Sequence, residues 1–297
     1  MRETREPAWA KLNLTLDVLG RREDGYHELN MVMQSVSLCD EVTLTLTEGA
    51  GIRLATEWGF LPTDGKNTAI AAAHVFAKAA DVNLNGLRIG LDKHIPVCAG
   101  TAGGSSDAAA VLRGLNRMLG TGFSLKELAR LGEQVGSDVP YCVLGGTMLA
   151  QGRGEILKPL VPLPDCHIVM CKPAFAISTG ELFHRVDSVR LRCRPDTEGV
   201  IAALEQGNLA EVARRMYNVF SDALPANRES VVTDIQNTLI QEGALGACLS
   251  GTGPTVFGIF DDQHAAENAA VILSGSYRET HVVVPVGRSA EVWENAE

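Results

Sequence analysis

The segment AGTAGGSSD, residues 99–107, constrains the fold of this chain more than any other, because it places three glycines directly before a helix start. Glycine permits backbone conformations in which successive N–H groups converge. The helix start adds N–H groups without intrahelical acceptors and a partial positive charge. Such a turn is a ready site for an anion, most often a phosphate. The segment matches neither GxxxxGK[ST] nor GxGxxG, and a tight strand-to-helix turn without a ligand is the alternative.

The rest of the chain predicts strands and helices in irregular order. The alternation in residues 11–19 predicts a half-buried strand with four apolar side chains on one face and four polar ones on the other, namely Leu12, Leu14, Leu16 and Val18 against Lys11, Asn13, Thr15 and Asp17. Further strands are predicted at 41–49, 87–93, 145–152, 167–172 and 281–286, and on both sides of a glycine loop within 247–260. Helices are predicted at 68–80, 105–119, 124–136, 178–186 and near 263–274, with two or three more in 197–242. This irregular order indicates an α+β fold rather than a doubly wound sheet.

The length and charge of the chain limit its organisation and its partners. A chain of 297 residues suits two domains of about 150 residues. The turn-rich stretch 152–164 carries three prolines, so we expect one domain at 1–155 and another at 156–297. The formal net charge of −10 argues against a nucleic-acid partner, which would need a basic surface. Any phosphate site must therefore be built locally, from backbone N–H groups and a few cations.

Cysteine spacing and hydropathy indicate a reduced, cytoplasmic protein. The seven cysteines include no CxxC pair, and we expect all of them to be free thiols. The N-terminal residues MRETREPAWAKLN contain no apolar signal segment. No uncharged apolar run reaches the roughly 18 residues that a membrane span needs, so we expect no membrane partner.

Four polar motifs could carry chemistry, and each has a simpler alternative. Lys11 and Asn13 lie on one face of the first predicted strand, which could equally be a solvated face. Asp138 in GSDVPY could accept a proton from a hydroxyl group or only cap the following turn. The loop SGTGPT, residues 250–255, could contact a ligand or only join two strands. In GRREDGYHEL, Tyr26 and His27 could stack on a base and hydrogen-bond to it, or remain solvated.

Taken together, these motifs resemble the GHMP kinase superfamily, which includes galactokinase, homoserine kinase and mevalonate kinase. AKLNLTLDVLGRREDGYHEL (10–29), IPVCAGTAGGSSDAAAVLRGLN (95–116) and LSGTGPTVFG (249–258) carry the resemblance. The first of these is similar to the branch that phosphorylates the 2-hydroxyl of 4-diphosphocytidyl-2-C-methyl-D-erythritol (cytidine diphosphate methylerythritol) in the non-mevalonate isoprenoid pathway. One departure is Thr101-Ala102, where leucine and glycine are usual. The resemblance implies a two-domain α+β fold, with an N-terminal domain like ribosomal protein S5 and a ferredoxin-like C-terminal domain.

The resemblance also implies roles for individual residues. Asp138 would be the general base and Lys11 would hold it in register with the substrate hydroxyl. The expected ATP-binding residues are Asn67, Pro96, Gly100, Gly103, Gly104, Ser105 and Ser106. The expected substrate-binding residues are Asn13, Tyr26, His27, Thr179, Phe183, Gly251 and Gly253. Tyr26 and His27 would bind the cytosine end, with Phe183 stacked on its other side. Mg²⁺ would accompany ATP, with Ser106 as a ligand.

Three alternatives to this function remain at the level of the sequence. The chain could be another GHMP kinase, such as a mevalonate or homoserine kinase, although GRREDGYHEL argues against this. It could be a catalytically silent GHMP protein, although both Lys11 and Asp138 are present. A nucleic-acid-binding protein is disfavoured by the charge. We expect a small-molecule substrate and either a monomer or a homodimer.

Overall fold

A computed structural model describes residues 2–287 and has the predicted α+β architecture. In chain order its elements are β1 (Arg2–Arg21), β2 (His27–Leu46), β3 (Ile52–Thr56), α1 (Thr68–Ala80), β4 (Leu87–Asp92), α2 (Gly103–Leu119), α3 (Leu125–Gly132), α4 (Val139–Leu144), β5 (Thr147–Gly152), β6 (Ile156–Pro159), β7 (His167–Lys172), α5 (Thr179–Val186), α6 (Thr197–Glu205), α7 (Leu209–Arg214), β8 (Tyr217–Asn218), a 3₁₀ helix (Val219–Ala223), α8 (Ala226–Gln241), β9 (Gly246–Leu249), β10 (Val256–Phe260), α9 (Gln263–Ser274), β11 (Glu279–Val283) and β12 (Pro285–Val286).

The two long strands β1 and β2 form an antiparallel hairpin at the centre of the larger sheet. The sheet runs β3-β4-β2-β1-β8, while β5 and β12 also pair with β2, and β6 pairs with β5. The smaller, antiparallel sheet runs β11-β7-β10-β9. Because β8 and β12 come from the second half of the chain, both halves contribute strands to the larger sheet.

A β-bulge at Leu14 corrects the predicted faces of β1. Asn13 pairs with Met33 and Thr15 pairs with Val32, so Leu14 is an extra residue that reverses the alternation after it. Leu12 and Leu14 pack in one apolar core, and Leu16 packs in the other.

The four polar residues of β1 also differ from the prediction, since all are buried. The prediction of a half-buried strand was wrong because the hairpin is covered on both faces. The buried polar residues are Lys11, Asn13, Thr15 and Asp17. A solvated face therefore does not explain Lys11 and Asn13.

The predicted domain boundary falls inside a β-hairpin. A division between residues 155 and 156 would separate β5 from β6, which pair from Met148–Pro159 to Gln151–Ile156. The first strand of the smaller sheet begins only at His167. We propose that the domain boundary lies after β6 and before β7, within residues 160–166.

Most predicted helices agree with the structure, and α1 matches its predicted bounds. The helix predicted at 124–136 is shorter, since α3 ends at Gly132 and a turn follows. All seven cysteines are free thiols, as expected. Within residues 2–287, no helix is both long enough and apolar enough to cross a bilayer.

Candidate active site

A cavity of about 1090 Å³ lies between the two halves of the chain. Its walls are the start of α2 with the loop before it, the β1–β2 hairpin, the loop after β9, and α5. Residues from both halves of the chain therefore face the same space.

The first turn of α2 leaves backbone N–H groups without helical acceptors beside this cavity. Lys11 donates its backbone N–H to Thr101 O at 3.1 Å, which fixes the loop against β1. The N–H of Ser106 is the first to bond within the helix, donating to Ala102 O at 2.8 Å. The preceding N–H groups of Gly103, Gly104 and Ser105 have no acceptor within the helix, and these residues line the cavity. This arrangement suits an anion.

Ala102 occupies a position of the phosphate loop where glycine is usual in the family that the motifs resemble. It has φ of 60°, a left-handed conformation that glycine adopts more easily. Alanine therefore keeps the loop geometry at a cost of about 1–2 kcal/mol.

The loop after β9 supports the phosphate loop through two hydrogen bonds. Ser250 donates its hydroxyl to Gly100 O at 3.1 Å, and Thr255 donates its N–H to Ala99 O at 3.2 Å. Gly100 has φ of +77°, and a Cβ there would lie 2.2 Å from Ser250 O. Close backbone approach therefore requires glycine at this position.

Lys11 and Asp138 meet at the cavity, with Nζ of Lys11 3.8 Å from Oδ2 of Asp138. Lys11 also donates to Asn13 Oδ1 at 2.7 Å, and Asn13 is itself fully buried. Asp138 directly precedes α4, but its side chain makes no capping hydrogen bond. The Asp138 side chain is 33% exposed, so a substrate hydroxyl can reach it, whereas Lys11 is 5% exposed.

Asn67 has a structural role at the edge of the cavity. Its Oδ1 accepts from Ala69 N at 2.9 Å and caps α1, while its Nδ2 donates to Pro62 O at 2.9 Å. Asn67 and Pro96 both line the cavity near the phosphate loop. Asn67 therefore positions the start of α1 beside the predicted nucleotide site.

Ser106 is turned away from the cavity, which argues against the predicted metal contact. Its hydroxyl donates to Trp9 O at 2.6 Å, and the residue is 1% exposed. Both its hydroxyl and its N–H already donate to backbone carbonyl groups, since the N–H bonds to Ala102 O within the helix. Sequence alone could not separate Ser105, which lines the cavity, from its neighbour Ser106.

The aromatic end of the cavity contains the three residues expected at the cytosine end, Tyr26, His27 and Phe183. His27 stacks on Phe183, with ring centroids 4.8 Å apart and planes inclined by 29°. A base therefore cannot lie between these two rings as they stand. Tyr26 is 54% exposed and carries the guanidinium of Arg153 at 5.0 Å from its ring centroid. Both Tyr26 and Arg153 line the cavity.

Thr179 and the two glycines of the loop after β9 also line the cavity. The hydroxyls of Thr179 and Thr252 lie 3.1 Å apart, linking α5 to that loop. Gly251 has φ of +56°, and a Cβ there would approach Gly100 O to 2.8 Å. Gly253, with φ of +77°, would place a Cβ 2.9 Å from Leu249 Cδ1.

Sequence reasoning missed a buried charge cluster behind the phosphate loop. Lys93 bonds to Asp40 and, at 2.6 Å, to Asp107 Oδ2. Burial raises the pKa of Asp107 to about 7, against the lowering effect of Lys93. Burial lowers the pKa of Lys93, but Asp107 and Asp40 together raise it above its usual value. The available signal in the sequence was a lysine, Lys93, that directly follows a strand and shortly precedes the glycine loop.

Family models match two parts of the chain. The model described as "GHMP kinases N terminal domain" matches residues 67–146, and "GHMP kinases C terminal" matches residues 200–279.

Named relatives cover nearly the whole chain. A 4-diphosphocytidyl-2-C-methyl-D-erythritol kinase from Alkaliphilus metalliredigens is 42% identical over 97% of this chain and 98% of its own length. One of the same name from Caldicellulosiruptor saccharolyticus is 41% identical over 89% and 90%.

Solved structures with the same fold include a 4-(cytidine 5'-diphospho)-2C-methyl-D-erythritol kinase. It has a TM-score of 0.80 and 31% identity, covering 96% of this chain and 100% of its own. A homoserine kinase from Cytophaga hutchinsonii has a TM-score of 0.76 at 20% identity, covering 97% and 96%, and shares the fold.

Proposed function

Since this chain belongs to the GHMP kinase family, within its 4-diphosphocytidyl-2-C-methyl-D-erythritol kinase branch, we propose that it transfers the γ-phosphoryl group of ATP to the 2-hydroxyl of that cytidine substrate. The observation that carries the proposal is the Lys11–Asp138 pair, 3.8 Å apart at the edge of a cavity that also receives the start of α2. A phosphoryl donor and an alcohol acceptor need such a shared space.

Asp138 would act as the general base. Its partly exposed carboxylate can accept the hydroxyl proton as the oxygen attacks phosphorus, while Lys11 fixes the carboxylate from the buried side. Phosphoryl transfer depends mainly on positioning and charge stabilisation. General-base assistance is worth about 10²–10⁴-fold in rate.

The start of α2 would hold the ATP phosphates. The N–H groups of Gly103, Gly104 and Ser105 supply donors, and the helix dipole supplies partial positive charge. Because these groups are fixed by the bonds from Lys11 and Ser250 to the loop, they need no reorganisation during transfer.

We further propose that Mg²⁺ enters with ATP, held by the phosphates and one carboxylate. Asp107 is the candidate, since its Oδ1 is buried and has no hydrogen-bond partner among residues 2–287. Mg²⁺ usually binds through substrate phosphates and one or two carboxylates rather than in an all-protein cage. The ion would supply positive charge against the phosphates.

Turnover of ATP with a panel of alcohols tests the proposed function. The panel contains 4-diphosphocytidyl-2-C-methyl-D-erythritol, mevalonate and homoserine, and ADP release is the readout. We expect turnover with the cytidine compound, and ³¹P NMR should place the new phosphate on the 2-hydroxyl. Preference for mevalonate or homoserine would instead assign another GHMP activity, and no turnover with any acceptor would favour a silent binding protein.

Asp138→Asn tests the general base. We expect this variant to bind ATP normally and to lose about 10²–10⁴-fold in kcat, because an amide cannot take the proton. Asp261→Asn, at an exposed position distant in sequence, is the matched control and should keep full activity. A normal kcat in Asp138→Asn would remove Asp138 from the mechanism.

A further inference from the structure

His27 is held at two points by α5 and by the residue that caps its C-terminus, Asp187, both in the other half of the chain. Its ring stacks on Phe183, and its Nε2 lies 2.8 Å from Oδ1 of Asp187. The His27 side chain is 10% exposed and that of Asp187 is 36% exposed, so the imidazole is largely covered while the carboxylate remains partly open to solvent.

The two contacts come from one face of α5. Phe183 and Asp187 are four residues apart and therefore project in the same direction, one turn above the other. Leu182 and Val186 are buried in the core, and Phe183 packs edge-on against Phe220 with centroids 4.8 Å apart. The helix is thus anchored, and the orientation of the imidazole follows from it.

The chemistry of Asp187 selects one tautomer of His27. An ionised carboxylate only accepts hydrogen bonds, so Nε2 must carry the proton that it donates to Asp187. In the neutral imidazole the other nitrogen, Nδ1, is then an acceptor. The hydrogen-bond partner of Nε2 therefore determines whether Nδ1 acts as a donor or as an acceptor.

We propose that Asp187 is a positioning residue that holds His27 as the Nε2–H tautomer, so that Nδ1 accepts a hydrogen bond from the exocyclic amino group of the substrate's cytosine. This inference rests on the proposed function and names how its site would select the base. Uracil carries a carbonyl oxygen where cytosine carries the amino group. That oxygen and Nδ1 would both be hydrogen-bond acceptors, so no hydrogen bond could form between them. The uridine analogue would therefore be rejected.

The location of His27 agrees with this assignment. Both His27 and Asp187 line the cavity, together with Tyr26 and Phe183. Because His27 already covers one face of Phe183, the base would meet the edge of His27 from the side of the exposed Tyr26 ring. A mismatched hydrogen bond of this kind changes affinity by roughly 10- to 100-fold.

Asp187→Asn tests the proposal. An asparagine side chain can both accept and donate, so His27 could adopt either tautomer without loss of packing. The measurement is kcat/KM with the cytidine substrate and with its uridine analogue. We expect the wild-type preference for cytidine to fall by about 10-fold in the variant, mainly through KM. Asp187→Glu, which keeps an acceptor-only group, should retain more of the preference than Asp187→Asn.

Glu181→Gln is the matched control, since it makes the same change of acid to amide on an exposed position of α5. It should leave the base preference unchanged. An unchanged preference for cytidine in Asp187→Asn would overturn the inference about Asp187. The proposed function would not be affected by that result, because it depends on the kinase activity of the wild-type protein. Absence of wild-type turnover with both substrates would instead overturn the proposed function.

The tautomer can be measured without substrate. Long-range ¹H–¹⁵N NMR of histidine-labelled wild-type protein distinguishes a protonated from an unprotonated ring nitrogen, and a His27→Gln spectrum assigns the signal among seven histidines. We expect His27 to carry its proton on Nε2. A proton on Nδ1 alone would overturn the inference whether or not the Asp187 variants fold.

Discussion

Thr101 buries a hydroxyl group for which the structure offers no bond. The residue is 1% exposed, and its Oγ1 has no hydrogen-bond partner among residues 2–287. A buried polar group without a partner costs about 1–3 kcal/mol. This position in the phosphate loop therefore carries a cost in stability, in addition to the left-handed conformation of Ala102.

Thr101→Val should stabilise the protein by about 1 kcal/mol, because valine has the same shape without the polar oxygen. Chemical denaturation of both proteins measures the change. Thr147→Val is the control, since that buried hydroxyl donates to Gln34 Oε1 at 2.6 Å and accepts from Leu163 N at 3.0 Å. The control should lose stability, and equal losses in both variants would contradict the account of Thr101.

The residues of the candidate site were only partly predictable. Lys11, Asn13 and Asp138 were expected to act together because their motifs resemble a known family, and the structure brings them together. Asp187 gave no signal in the sequence, since nothing local links it to His27, 160 residues away. Ser106 was assigned to the wrong environment because the rotation of the first helical turn cannot be derived from composition.

At the scale of elements, the phosphate loop depends on the close approach of two glycine-containing turns. Gly100 cannot carry a Cβ without meeting Ser250 O at 2.2 Å and Gly253 N at 2.9 Å. The two turns are therefore a single unit, although 150 residues separate them in the chain.

Gly100→Ala should raise KM for ATP and lower stability by more than the conformational cost of alanine alone, because the turns must separate. Gly122→Ala is the matched control. Gly122 has a similar φ of +76° but open space around a Cβ. The variant Gly122→Ala should therefore lose only about 1–2 kcal/mol of stability and keep the wild-type KM for ATP. Denaturation curves and ATP kinetics provide both readouts. Similar losses in both variants would show that the backbone conformation, not the contact, limits Gly100.

Elements with one buried face were well predicted, whereas β1 was not. The bounds of α1 follow from its apolar pattern and from Asn67 before it. In β1 the apolar alternation continues through Leu14 although the bulge there moves Leu16 to the opposite core. When both faces of a strand are buried, hydrophobicity no longer distinguishes the two sides.

At the scale of the whole molecule, charge is distributed unevenly. The chain has a formal net charge of −10, yet five Lys or Arg residues line the cavity against three aspartates. The basic residues are Lys11, Arg21, Lys66, Lys93 and Arg153. An acidic protein thus concentrates cations where the phosphates of two nucleotide-like substrates are expected, which favours their capture.

The two halves of the chain also share the larger sheet, which fixes the cleft between them. β8 pairs in parallel with β1 at Thr15–Tyr217, and β12 pairs with β2 at Val36–Pro285. Strands from the second half thereby flank the hairpin that carries Lys11 and His27. The stability of this hairpin consequently matters for both halves.

Glu6 makes that stability depend on pH. It is fully buried on β1 beside Arg113 and Arg117 of α2, yet burial raises its pKa to about 7 against the lowering effect of both arginines. Between the unfolded pKa of 4.5 and the folded pKa of about 7, the folded state binds the extra proton, so the free energy of unfolding falls as pH rises through this window.

The variant Glu6→Gln cannot ionise at this position, and its stability relative to wild type should rise by about 3 kcal/mol from pH 4.5 to pH 8. Denaturation midpoints across this range test the expectation, with the partly exposed Glu3→Gln as a control whose difference should stay flat. A relative stability of Glu6→Gln that falls with pH would mean that attraction to the arginines outweighs burial.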